Sequence, residues 1–293
     1  MIFGLFIRSK SLFLCFYRNA KKTLRILISM QNRPFTYLLW MQYLGFRYNG
    51  WQKQPDGKTV QGRMEKVLRF VLGHGNFTTL AASRTDAGVS CNRGAFELFS
   101  AEPVDLPELI QQMNVYLPND IRILEGQAIS QDFNIIQDVV EKEYRYHFAT
   151  GEKFHPFAAG NLLHVIGELD IPMMKQGGEL LLGKHDFRRF CSIDKITDDY
   201  VREVFELNFL DHELAGKGLV PADSFTISIK GKGFLRYQIR VMVAVLIDLG
   251  LEKISLEQIS EALTSQENKP LCEPAKAHGL VLEEVVFDFG RQK

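Results

Sequence analysis

The strongest constraint on this chain is an alternation. Short β-rich runs and longer runs with helical spacing follow one another from residue 36 to the end, in two comparable series. In the first, residues 36–43 are apolar and rich in strand formers. A turn-rich loop follows, containing Gly45, Asn49, Gly50, Pro55, Asp56 and Gly57. Thr59 can then cap a helix whose apolar stripe is Val60, Met64, Val67, Leu68 and Val71. Strands are expected over 77–82 and 93–99, with a polar turn between. Pro107 suits a helix start, with Leu109, Ile110, Met113 and Leu117 on its buried face, and residues 121–129 return as a strand. The second series opens with a strand over 143–149 that puts Tyr144, Tyr146 and Phe148 on one face. Asp170 caps a helix reaching residue 182, and strands over 204–210 and 224–230 follow. Gly233 precedes a long apolar helix over 237–249. Ser255 caps a short helix with Gln258 at the capping-box position, and residues 279–289 close the chain as a strand. Neither an exact repeat nor a low-complexity linker separates the halves, 37–140 and 141–293. Two αβ units joined in this way are expected to dock, with a shared sheet and a cleft between them where a site would lie.

A chain of 293 residues, 46% of them apolar, buries a sizeable core without disulfides or structural metal. Cys15, Cys91, Cys191 and Cys272 are far apart, with no CxxC pair and no histidine at zinc spacing. They read as reduced thiols, and no metal site is expected. Charge is uneven. Residues 1–36 hold 7 basic side chains and no acid, so of 35 basic residues 28 remain against 35 acidic ones in the rest of the chain. Nucleic acid, if bound, must meet a local basic groove rather than a general positive surface. The apolar pieces of this N-terminal extension are too short and too interrupted to cross a membrane. Its Arg-rich, acid-poor composition fits a transit peptide. The plainer expectation is that Met30 is the natural start and that residues 1–29 come from an over-extended reading frame.

Three stretches carry candidate chemistry. In Ala82-Ser83-Arg84-Thr85-Asp86-Ala87-Gly88-Val89 a strand ends in a polar turn that presents a carboxylate. Arg84 would keep Asp86 ionised if both face one cleft; alternatively Asp86 bonds its own backbone in an Asx turn. In Glu141-Lys142-Glu143-Tyr144-Arg145-Tyr146 the two tyrosines share a strand face. They either stack on an extruded base or belong to a half-buried core. In residues 231–240, Lys232, Arg236 and Arg240 gather at a glycine-rich helix entry. That arrangement suits phosphates or carboxylates, or is a solvated helix face. His185-Asp186 reads as a structural turn, since adjacent residues rarely face each other. P-loop, GxGxxG, HExxH and GxSxG patterns are absent.

Together these segments resemble the TruA family of tRNA pseudouridine synthases, in order through nearly all of residues 37–289. Gly50-Trp51-Gln52-Lys53-Gln54-Pro55 with Thr59-Val60-Gln61 is similar to the family's GWQxQP…TVQ opening, and Arg84 to Val89 to its RTDAGV loop. Tyr144-Arg145-Tyr146 resembles its YxY strand, and Gly183 to Phe187 its GxHDF turn. Phe234 to Arg240 resembles its F-x5-R helix start, and Gly279-Leu280-Val281-Leu282 its closing GLxL strand. Each motif is modest alone; six in order are specific.

The resemblance implies an α+β fold of two docked, ferredoxin-like halves on a central, mostly antiparallel sheet. It implies a cytoplasmic, cofactor-free isomerase that converts uridine to pseudouridine in the tRNA anticodon stem-loop, around positions 38–40, as a homodimer. By motif match Asp86 is the catalytic carboxylate, Tyr144 packs on the target base and serves in proton transfer, and Arg240 pairs with Asp86. Arg84, Arg236 and Lys232 would contact RNA. A carboxylate held by an arginine suits detachment of uracil from C1′ and rejoining through C5. An aromatic platform offsets part of the cost of extruding the base.

Three departures stand out. Ser83 replaces the family's usual glycine, Ser90 its histidine, and Phe133-Asn134-Ile135-Ile136 its F-x-A-R, so that Ile136 sits where an arginine is usual. The last loss bears on tRNA affinity or target. It motivates an alternative in which the chain is a divergent paralogue that binds structured RNA without turnover. A hydrolase pairing Asp86 with Asp186 is a weaker third reading.

Overall fold

The computed structural model describes residues 33–192 and 199–290. The expectations for residues 1–29 lie outside them. The strands are β1 (Phe35–Tyr43), β2 (Phe77–Ala81), β3 (Ser90–Ser100), β4 (Ile121–Ala128), β5 (Val139–Ala149), β6 (Leu163–His164), β7 (Gly183–Asp186), β8 (Val201–Val204), β9 (Glu206–Asp211), β10 (Ser224–Gly231) and β11 (Leu280–Phe287). The α-helices are α1 (Val60–Leu72), α2 (Leu106–Tyr116), α3 (Ile171–Leu180), α4 (Gln238–Gly250) and α5 (Leu256–Thr264).

Four of the five described α-helices start at a side-chain cap, and α4 does not. Thr59, Asp105, Asp170 and Ser255 each accept a backbone N–H of the first turn, and Ser255 with Gln258 completes a reciprocal capping box. Each satisfies a donor that the helix itself leaves unpaired.

Nine strands form one sheet whose main path runs β4-β1-β3-β11-β5-β10-β9, with β2 added on β3 and β6 on β5. Every pairing in it is antiparallel except β3–β11 and β5–β6. The result is a mixed α/β fold on a mostly antiparallel sheet. The last strand lies between β3 and β5 and joins the strands of the early sequence to those of the late sequence.

Two apolar clusters fill the molecule. One gathers Leu39, Trp51, Met64, Leu68, Phe96 and Met113. The other gathers Tyr146, Phe148, Met174, Ile227, Leu246 and Ile259. Tyr144 packs against both, so it sits at their seam.

Two expectations need correction. The single strand over 204–210 is two strands broken at Phe205, because β8 pairs with β7 in a separate two-stranded sheet while β9 pairs with β10. The turn at 183–187 is in fact largely strand β7, whose side chains are engaged locally. Asp186 holds Arg188 at 2.7 Å, and His185 Nε2 lies 2.6 Å from the Leu182 carbonyl.

Candidate active site

The segment that carries Asp86 is fixed at several points. At its start the Ala82 N–H bonds the Ala95 carbonyl (3.0 Å), and Lys142 Nζ donates to the Ala82 carbonyl (2.8 Å). The Thr85 and Tyr43 hydroxyls are 2.8 Å apart, and the Thr85 carbonyl accepts from the Trp51 N–H (3.1 Å). Trp51 is fully buried. Gly50, at φ +89, lets the neighbouring loop lie so close that a Cβ there would stand 2.7 Å from the Thr85 carbonyl oxygen. The turn closes through its backbone, with the Val89 N–H on the Asp86 carbonyl (3.2 Å) and the Gly88 N–H on that of Tyr48 (3.1 Å). The Asp86 side chain is thus left to face the cavity.

That cavity has a volume of about 500 Å³, and Arg84, Asp86, Tyr144, Arg236, Tyr237 and Arg240 are among its lining residues. Arg240 Nη1 is 3.8 Å from Asp86 Oδ2. Its Nε donates to the Ala275 carbonyl at 2.7 Å, which fixes the guanidinium from behind. Burial raises the Asp86 carboxyl above its ordinary value, and Arg240 and then Arg236 pull it back. Burial wins this contest, and the guanidinia that oppose it are these two. Arg84 lines the same cavity and is exposed there, while the charges that bear on the Asp86 carboxyl are those of Arg240 and Arg236.

Tyr144 meets Phe234 edge to face, with ring centroids 5.5 Å apart. Burial pushes its phenol up to about 12, so it stays protonated at neutral pH. Tyr146, on the same strand face, is fully buried and donates its hydroxyl to the Lys276 carbonyl at 2.7 Å. It belongs to the core. The two tyrosines therefore divide the alternatives left open by the sequence.

The remaining residues separate. Arg236 lines the cavity, whereas Lys232 is exposed and lies apart, in a shallow depression with Lys184, Arg202 and Glu203. Arg236 and Arg240 do not share a helical face as spacing suggests. The helix begins at Gln238, and Tyr237 before it has φ 62. Ile136 is 58% exposed and does not line the cavity, so the replaced arginine position leaves this pocket intact. Asp186 also lies outside the cavity and is bound to Arg188, which removes the pairing that a hydrolase would need. Phe234, the first residue of the F-x5-R stretch, lines the cavity, and so does Tyr237, which pattern reading did not single out. The signal for Tyr237 was an aromatic residue beside Arg236 inside that stretch.

A family model described as tRNA pseudouridine synthase matches residues 179–288. The match covers the later part of the chain, from the end of α3 through β11. The chain is also 32% identical over 249 residues to tRNA pseudouridine synthase A of Listeria welshimeri, covering 85% of this chain and 97% of that one. It is 31% identical over 252 residues to tRNA pseudouridine synthase A 2 of a Bacillus cereus strain, covering 86% and 99%. The chain belongs to the TruA family of tRNA pseudouridine synthases.

Proposed function

We propose that this chain converts uridine to pseudouridine in the anticodon stem-loop of tRNA, around positions 38–40, with Asp86 as the catalytic carboxylate. The observation that carries the reading is the convergence of Asp86, Arg240 and Tyr144 on one cavity from three separate stretches of sequence. The reaction breaks the N1–C1′ bond and forms C5–C1′; C5 loses its proton and N1 gains one, with no net oxidation. One group must engage the sugar or the ring during detachment, and Asp86 is the carboxylate among the cavity's lining residues. Arg240 favours its charged form, while the Tyr144 ring provides a face for the extruded base. Arg84 and Arg236 supply exposed positive charge for the phosphate backbone, and Lys232 extends that charge away from the cavity.

The same reading makes the protein cytoplasmic and homodimeric. Exposed Leu44, Phe157, Leu214 and Leu219 border a second cavity and support a dimer. No helix among the described residues is long and apolar enough to cross a membrane. The seam between the halves is proposed near residue 140.

The test uses tRNA carrying tritium at uridine C5. Wild type should release label and Asp86→Asn should not. Equal release from both refutes the role of Asp86, and none from wild type across total tRNA refutes the isomerase reading. Mapping pseudouridine in the product tests the anticodon assignment.

A further inference from the structure

Tyr237 stands in a conformation that its residue type disfavours. Its φ of 62 and ψ of 2 are left-handed, where glycine or asparagine rests at little cost and a bulky side chain does not. Such backbone persists when its surroundings hold it, and it concentrates at functional sites. What the ring does there is visible. The Arg240 guanidinium carbon lies 4.8 Å from its centroid and that of Arg236 lies 4.9 Å away. Both distances are within cation–π range. Tyr237 lines the same cavity as Asp86, and these are the two arginines whose charge bears on that carboxyl.

We propose that Tyr237 is a positioning residue, whose ring gathers the Arg236 and Arg240 guanidinia beside Asp86. The inference rests on the isomerase reading above. Long arginine side chains lose much rotamer freedom when fixed. The Ala275 carbonyl fixes Arg240 through Nε alone, and the aromatic face limits where its remaining nitrogens lie. Arg236 leaves the backbone before the helix begins, so helical geometry does not direct it toward Asp86; the neighbouring ring does. The hydroxyl has a smaller share, since Arg236 Nη2 reaches it only at 3.4 Å.

A purely structural role gives a different result on substitution. Tyr237→Asn accepts the left-handed backbone and removes the ring, and Tyr237→Phe keeps the ring and removes the hydroxyl. Single-turnover tritium release at saturating tRNA is measured beside tRNA affinity and the unfolding midpoint. Tyr237→Asn should fold, bind tRNA within a few-fold of wild type and lose about 10- to 100-fold in rate, the scale expected of a displaced charged group. Tyr237→Phe should keep most of the rate. The proposal is overturned by a wild-type rate in Tyr237→Asn, by equal impairment of Tyr237→Phe, or by a loss that resides wholly in tRNA affinity. Should Tyr237→Asn not fold, Tyr237→Gly is read by the same criteria. An inactive wild type would instead defeat the isomerase reading itself.

Discussion

Glu97 offers the sharpest physical test of the fold. It lies mid-way along β3, opposite Leu38 of β1 and Leu80 of β2, and is 2% exposed. Burial, with a smaller contribution from Asp138, pushes its carboxyl from 4.5 up to about 8. The folded protein therefore holds a proton there that the unfolded chain releases above its own pKa. A raised folded pKa contributes stability that is fully present below the unfolded value and is lost as pH rises through the folded one. The window runs from 4.5 to about 8. At roughly 1.4 kcal/mol for each pH unit, the total approaches 5 kcal/mol as an upper bound. Glu97→Gln keeps the shape and removes the titration. Urea unfolding of both proteins is compared at pH 5.5 and pH 8.5. The glutamine variant should gain about 2–4 kcal/mol on wild type between those two conditions. A stability difference that stays constant with pH would refute the argument, because desolvation of an ionised carboxylate cannot be independent of its titration.

Two more predictions concern the Asp86 loop. Lys142→Met removes the bond to the Ala82 carbonyl and should slow single-turnover tritium release by about 10-fold or more while tRNA affinity holds; an unchanged rate would show that the tether is dispensable. Gly50→Ala forces a methyl group against the Thr85 carbonyl at a positive-φ position. It should lower stability by roughly 1–3 kcal/mol and reduce the rate as well, which thermal unfolding and the same release assay would check.

The sequence shows where helices begin because their caps are local chemistry. Thr59, Asp170 and Ser255 bond within three residues of themselves, and a period of 3.6 in the apolar residues does the rest. The break at Phe205 was not legible, because it depends on which neighbour each half of the run pairs with. β8 takes β7, and β9 takes β10. The left-handed Tyr237 was hidden for a related reason. Local preference disfavours it, and only the two arginines packed near its ring make sense of it. Asp86, Tyr144 and Arg240 were legible as types within motifs. Their convergence and the balance of burial against charge at Asp86 are tertiary facts.

That convergence depends on one strand order. Asp86 leaves β2 on the way to β3, and Tyr144 lies on β5, so the two belong to opposite sides of the sheet's middle. β11 fills the gap between them, with Val281 opposite both Ser90 of β3 and Arg145 of β5. Its register sets how far along the sheet the two chemistries stand from each other. A slip of one residue in β11 would also exchange its two faces, taking Leu282 out of the apolar cluster it shares with Tyr144. This strand gives the cavity one lining residue, Leu280, and the geometry of the rest depends on its register. Damage to its register should therefore lower the rate of isomerisation before it abolishes folding of the early strands, which keep β1 and β3 paired over most of their length.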